Sequence, residues 1–112
     1  MTFEQWSVVV VPFPFAERDT QRRRPAVVLS SGREFGAPSG HSVLAMVTSA
    51  AHAHWPLDVT ISDLGAAGLP APSVIRMKLF TRDNRLVLKQ IGALGATDQT
   101  ATVAALERLL RE

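Results

Sequence analysis

Gln21-Arg22-Arg23-Arg24-Pro25-Ala26-Val27-Val28-Leu29-Ser30 is the stretch from which the chain is best read. Three consecutive arginines run directly into a β-branched segment. Proline has no N–H and a fixed φ, so Pro25 suits the first residue of a strand and not its middle. The expected strand therefore covers Ala26 to Ser30, with Arg24 at the loop–strand boundary. There the strand holds the base of the side chain and leaves the guanidinium to reach outward. A guanidinium fork presents paired donors and a charge that never titrates away, which makes it a good receptor for phosphate. That combination points at a nucleic-acid backbone. The plain alternative for an arginine cluster is a solvated loop.

Upstream, Trp6 to Phe13 is β-branched and unbroken by helix formers, and it reads as a strand buried on both faces. Pro12 and Pro14 end it. Ala16 to Arg24 is polar and charged, so the two strands read as a hairpin with a basic loop at its tip. Downstream, Gly32, Gly36, Pro38 and Gly40 make Ser31 to Gly40 a second loop. Ser42 to Thr48 reads as a third strand. Leu57, Val59 and Ile61 alternate with Asp58 and Thr60, as in a half-buried strand. Asp63 to Pro70 resembles one helical turn closed by Gly68. Ser73 to Phe80 and Leu86 to Ile91 read as further strands.

Thr97 to Arg111 is the one clear helix. Thr97 is the expected N-cap, and Asp98 suits the positive end of the helix dipole. Val103, Leu106 and Leu110 form the expected apolar stripe. Many short strands followed by one helix predict a mainly β (α+β) fold: a small, strongly bent antiparallel sheet or barrel with the helix on one face.

The 112 residues suit one domain, 1–112, and can bury one core without staples. The hydrophobic fraction is 46% and the charged fraction 20%, an ordinary globular balance. There is no cysteine, which excludes disulfides, a thiol nucleophile and thiolate metal sites, and fits a reducing cytosol. Net charge is only +2, yet every cation except Lys78 and Lys89 is arginine, so local field matters more than the total. The longest apolar run near the N-terminus is far shorter than the ~20 residues a membrane helix needs. The expectation is a soluble, untargeted cytoplasmic protein with no membrane partner.

Aromatic side chains offer stacking platforms for single-stranded nucleic acid. Trp55, ahead of Pro56, is the better candidate; Trp6 reads as core or dimer interface. Phe13 and Phe15 share one side of a strand end, so one of them can line a groove. His52 and His54 would share a face if they lay on a strand. Neither a carboxylate nor a third histidine completes a metal signature with them, so no metal site is expected. A histidine pair for acid–base work needs both rings within reach of one phosphate.

Several motifs, in order, resemble the MazF/PemK toxins of bacterial toxin–antitoxin systems. They are Val-Pro-Phe-Pro-Phe (11–15), Arg-Arg-Pro-Ala-Val-Val-Leu-Ser (23–30), Met-Val-Thr-Ser (46–49), Gly-Leu-Pro-Ala-Pro-Ser-Val (68–74) and Lys-Leu-Phe-Thr (78–81), with Asp83 and Arg85-Leu86. The resemblance implies the SH3-like barrel of the MazF/CcdB type. It implies a metal-independent, cofactor-free endoribonuclease that cuts single-stranded RNA at a short sequence. It also implies a homodimer, silenced by an antitoxin whose disordered segment covers the RNA groove. Catalysis would fall to Arg24 and Thr48, and RNA binding to Arg22, Arg23, Phe15, Trp55, Ser73 and Lys78. Three features depart from the family pattern, one of them a short basic loop whose Glu17 and Asp19 could clamp the arginines internally. Trp6-Ser7 stands where many members have Gly-Asp, and the Ser73–Lys78 segment is one residue shorter than is common. A one-residue change reverses the faces of later side chains unless a bulge absorbs it.

RNA can be cut without metal when its own 2′-hydroxyl attacks the adjacent phosphate. Arg24 suits the role of stabilising the extra charge on phosphorus, but a guanidinium is a poor base because it stays protonated. Thr48 would bind a phosphate oxygen or orient the 2′-hydroxyl. Glu17, His41 and plain water all remain open as the base. Two other readings share the fold: a non-catalytic binder of the gyrase-poison kind, and a catalytically inactive RNA-binding relative. An antitoxin segment that docks on this cationic groove should carry acidic and apolar residues and fold on binding. Binding of single-stranded RNA should weaken with salt, log K falling by ~0.7 per phosphate contacted. A titration across salt concentrations checks this, and a flat response would separate the arginines from the backbone.

Overall fold

A computed structural model describes residues 1–12 and 22–112. Phe15, Glu17 and most of the basic loop lie outside those residues. Six strands form one antiparallel, curled sheet: β1 Ser7–Pro12, β2 Arg23–Val28, β3 His41–Ser49, β4 Val59–Thr60, β5 Ser73–Asp83 and β6 Lys89–Ala93, in the order β4-β5-β3-β2-β1-β6. A helix, Ala96–Leu110, closes the chain. The bent antiparallel sheet with a C-terminal helix is the predicted architecture.

Both faces of the central strands are dry. Val8, Val27, Ala45, Val47 and Ile75 pack on one side with Ala105 of the helix and with Ala67 and Leu69 of the loops. Val9, Val11, Ala26, Val28 and Leu44 pack on the other, joined by Phe3, Phe80 and Val87. An unbroken run of β-branched residues is what a strand with two buried faces requires.

Element boundaries depart from the sequence pattern where tertiary contacts override it. β2 starts at Arg23, so Pro25 is its third residue, opposite Val10 of β1. The ladder to β3 begins only at Ala26, which leaves the proline nitrogen no donor to supply there. Ser31–Gly40 is not an open loop. It forms helical turns at Gly32–Gly36 and Ala37–Ser39, capped by the Ser31 hydroxyl, which accepts from the Glu34 N–H at 2.9 Å. The alternating Leu57–Ile61 segment yields only the two-residue β4, because Leu57 takes a positive φ of 66°. Leu86–Ile91 is likewise displaced: Asn84–Leu86 is a turn capped by Asp83, and β6 starts at Lys89. The helical turn Leu64–Ala67 is as expected, with Asp63 accepting from Ala66 N–H and Gly68 at φ 71°. Gly68 and Gly92 let that turn lie on β6; a Cβ at either would meet the backbone of Ile91 or of Ala66 and Ala67.

The C-terminal helix turns a different face inward from the one its apolar residues mark. Gly95, not Thr97, is its cap. Asp98, Thr102 and Ala105 are buried, while Val103 and Leu110 are 44% and 78% exposed. The reason is Asp98. Its carboxylate accepts from the Ser62 N–H at 2.9 Å, the Ser62 hydroxyl at 2.8 Å and the Asp63 N–H at 3.0 Å. A buried carboxylate cannot be left unpaired cheaply, and its bonds to Ser62 and Asp63 fix the helix rotation against the weaker pull of the Val103 stripe. Burial by itself would raise the Asp98 pKa; the hydrogen bonds from Ser62 and Asp63 outweigh it and hold the value below the ordinary carboxylate range.

A group whose pKa is depressed by folding stabilises the protein above its unfolded pKa, and that stability is lost as pH falls through the folded value. The Asp98 contribution is therefore complete near neutrality and disappears only below about pH 4. Asp98→Ala should lower unfolding free energy by about 2–4 kcal/mol at pH 7. Its penalty relative to wild type should shrink in acid. Urea denaturation at several pH values measures both.

Candidate active site

Arg24 enters the site from the start of β2 and Thr48 from the end of β3. The β2–β3 register pairs Ala26 with Met46, Val27 with Ala45 and Val28 with Leu44. Carried two residues past the last pair of that ladder, the register directs Arg24 toward the end of β3 that holds Thr48. Side chains alternate along a strand, so Arg24 and Thr48 share the face of Ala26 and Leu44. Both belong to the end of the sheet where that second core gives way to polar groups.

β5 supplies the other wall. Val74 pairs with Thr48, Arg76 with Met46 and Phe80 with Leu44, which puts all three on the same face. Between Ala45 and Met46 the partner on β5 jumps from Leu79 to Arg76. Met77 and Lys78 are thus additional on β5. An even insertion restores the alternation, and the shortened spacing noted in the sequence does not reverse Lys78. Lys78 Nζ lies 5.7 Å from the centre of the Trp55 ring, and the Arg76 guanidinium 5.6 Å from it.

The segment between β3 and β4 covers this corner and is tied down at two places. Next to β3, the Ser49 hydroxyl accepts from Ala51 N–H at 3.1 Å, and Ser49 C=O accepts from His52 N–H at 3.1 Å. Further on, Asp58 accepts from Trp55 N–H and holds Arg76 through two bonds, Nε at 3.2 Å and Nη2 at 2.9 Å. Arg76 also donates to the Ala53 carbonyl at 2.7 Å. Both members of the ion pair are nearly nine-tenths buried. Arg76 is therefore the anchor of the covering segment. Trp55 remains 42% exposed on it, with a cation on either neighbouring residue of the β5 face.

The remaining predicted residues divide. Arg22 and Arg23 are exposed beside the same strand end. Ser73 is buried and spends its hydroxyl proton on the Ala71 carbonyl at 2.8 Å. Phe15 lies outside the described residues. His41 is removed from the group: it begins β3, opposite Asp83, seven residues or roughly 20 Å from Thr48. There Arg85 grips Asp83, and its hydrogen bonds push that carboxyl far below the usual range. His52 and His54 are not on a strand, so their two-residue spacing carries no shared face. His52 alone is brought to the site, its Nδ1 2.7 Å from the Thr48 hydroxyl. Sequence reasoning set Arg76, Asp58 and the His52–Thr48 contact aside. The four-residue spacing of Thr48 and His52 was the available signal, hidden because it crosses a strand end.

The profile of a family described as "PemK-like, MazF-like toxin of type II toxin-antitoxin system" matches residues 4–110. No curated protein matches the chain. Among solved structures, MazF from Deinococcus radiodurans is 26% identical, with a TM-score of 0.75 over 98% of this chain and 97% of that one. The MazE–MazF complex of the same organism contains a chain 24% identical, with a TM-score of 0.74 over 98% and 96%. The Mycobacterium tuberculosis toxin MazF-mt6 is 21% identical, with a TM-score of 0.69 over 91% and 93%.

The Asp58–Arg76 pair gives a direct test of the architecture. Removing one partner of a buried pair strands the other charge, at a cost of about 3–5 kcal/mol. Asp58→Ala should therefore destabilise strongly, and the double variant Asp58→Ala/Arg76→Met should recover much of that loss. Denaturant midpoints for the three proteins decide it. Equal stability of Asp58→Ala and wild type would mean the covering segment is held by something else.

Proposed function

The chain belongs to the PemK-like, MazF-like toxins of type II toxin–antitoxin systems, a family of endoribonucleases, and from that premise we propose that it cuts single-stranded RNA at a short sequence without a metal ion. What supports the proposal is the β2–β3 register, which directs Arg24 and Thr48 to one face and one end of the sheet, near a segment that presents Trp55 beside Lys78. Arg22 and Arg23 add charge along the approach, where a phosphate backbone would run. Trp55 offers an exposed indole face for a base, and cations next to it suit the backbone that accompanies that base.

In this reading Arg24 binds the scissile phosphate and stabilises the second negative charge that builds as the 2′-oxygen attacks. Donors aimed at developing charge supply the largest share of such catalysis. Ser73 shapes the groove through its backbone, since its hydroxyl is committed to Ala71. The working unit is a homodimer in the cytoplasm. It is restrained by an antitoxin whose docking segment is acidic and apolar, to match a cationic groove. Solved relatives include MazF bound to MazE, which supports an antitoxin partner for this chain.

Primer extension on a weakly structured RNA, with chelator present, tests the activity. Wild type should give discrete stops at a recurring short sequence. Arg24→Ala should lower the cleavage rate by about 10²–10³-fold, the loss typical of one transition-state donor. Undiminished cleavage by Arg24→Ala would overturn the assignment of that residue, and absence of stops with folded wild type would favour a binder on the same fold.

A further inference from the structure

Resting on the endoribonuclease reading, we infer that His52 is the general base of the reaction and that Thr48 is its positioning residue. The two side chains form one unit, with Thr48 Oγ1 2.7 Å from His52 Nδ1. Burial separates their roles. Thr48 is 4% exposed, whereas His52 stands exposed at the rim of the site. A hydroxyl enclosed between Val74 and the turn after β3 is poorly placed to meet RNA first; an exposed ring held by that hydroxyl is well placed.

The contact engages Nδ1 and leaves Nε2 as the ring nitrogen available to RNA. When Nδ1–H donates to the Thr48 oxygen, Nε2 carries a lone pair and faces outward. The backbone that carries the ring is pinned, because the His52 main-chain N–H donates to the Ser49 carbonyl and the Ser49 hydroxyl accepts from the Ala51 N–H. Imidazole is the side chain whose ordinary proton affinity suits a base near neutral pH, which a guanidinium is not.

The step balances. Nε2 takes the proton of the 2′-hydroxyl, and the freed electron pair forms the 2′-oxygen–phosphorus bond. The bond from phosphorus to the 5′-oxygen breaks, and water protonates the leaving oxygen. The products are a 2′,3′-cyclic phosphate and a 5′-hydroxyl, and His52 returns its proton to solvent. Arg24, directed to the same end of the sheet as Thr48, meets the charge on the phosphoryl oxygens meanwhile. Among the described residues, the charged and titratable groups on the elements that frame the site are these. On its own segment they are His54 and Asp58; from β5 they are Arg76, already paired with Asp58, and Lys78. From β2 there is Arg24. Of these, His54 is the other imidazole, and it serves as the control.

Single-turnover cleavage of a short single-stranded RNA, followed from pH 5 to 9 with RNA affinity measured in parallel, tests the assignment. His52→Ala should slow cleavage by about 10²-fold or more, bind RNA as wild type does, and lose the acid limb of the rate profile. Added imidazole should restore part of the rate. His54→Ala should behave as wild type, and Thr48→Val should lower the rate while keeping the acid limb. His52→Gln, closer in shape, guards against a folding defect. Wild-type rate and an intact acid limb in His52→Ala would overturn the inference, as would a loss of cleavage matched by loss of RNA binding with no rescue by imidazole. If wild type makes no cyclic phosphate at all, the endoribonuclease reading fails and the inference with it. If wild type cleaves and Arg24→Ala does not, an unaffected His52→Ala removes His52 alone.

Discussion

Val8, Val27 and Val47 pack on one side of the sheet and Val9, Val28 and Leu44 on the other, all with 1% exposure or less. Central strands built this way have no polar face to lend to chemistry. Any charged or hydrogen-bonding group they contribute must come from their ends, where one of the two cores stops. Adjacent strands run antiparallel, so the start of β2 and the end of β3 fall at the same edge of the core. Arg24 and Thr48 are the residues at those two ends. The site is thus a consequence of burying both faces, and its position follows from strand direction as much as from the identity of the two side chains.

What covers that edge is held by charge. Arg76 and Asp58 are largely removed from water, and the desolvation of such a pair offsets much of its attraction. The pair is therefore a weak source of net stability. Its value is geometric, because Arg76 reaches both carboxylate oxygens and the Ala53 carbonyl from a single planar group. A lysine could not hold three acceptors in one plane. The clamp fixes the segment that carries His52 and Trp55 against β5, and it does so on the face that Arg24 and Thr48 share. Asp98 plays the corresponding part on the opposite side of the sheet, where it ties the C-terminal helix to the loop at Ser62 and Asp63. Both devices use one ionised side chain to satisfy backbone groups far apart in sequence. In each case the apolar pattern alone would have allowed another arrangement.

The amino-acid pattern alone marked strands at Trp6 to Phe13, Ala26 to Ser30, Ser42 to Thr48 and Ser73 to Phe80, and strands form there at Ser7–Pro12, Arg23–Val28, His41–Ser49 and Ser73–Asp83. It determined the closing helix, and it placed Arg24 and Thr48 at strand ends through their flanking residues. These are local facts, set by side-chain branching, by alternation and by proline. Tertiary structure decided the rest, because each remaining feature depends on a partner distant in the chain. Leu57 left the strand pattern since Asp58 was drawn to Arg76, 18 residues on. The helix rotated Val103 outward since Asp98 was claimed by Ser62, 36 residues back. The two additional residues on β5 kept Lys78 on the site face, which only the pairing with β3 reveals. His52 met Thr48, and His41 did not, because a turn closed after Ser49 while the length of β3 carried His41 to the far end of the sheet. Propensity acts over a few residues; register, rotation and buried charge are settled by the whole chain.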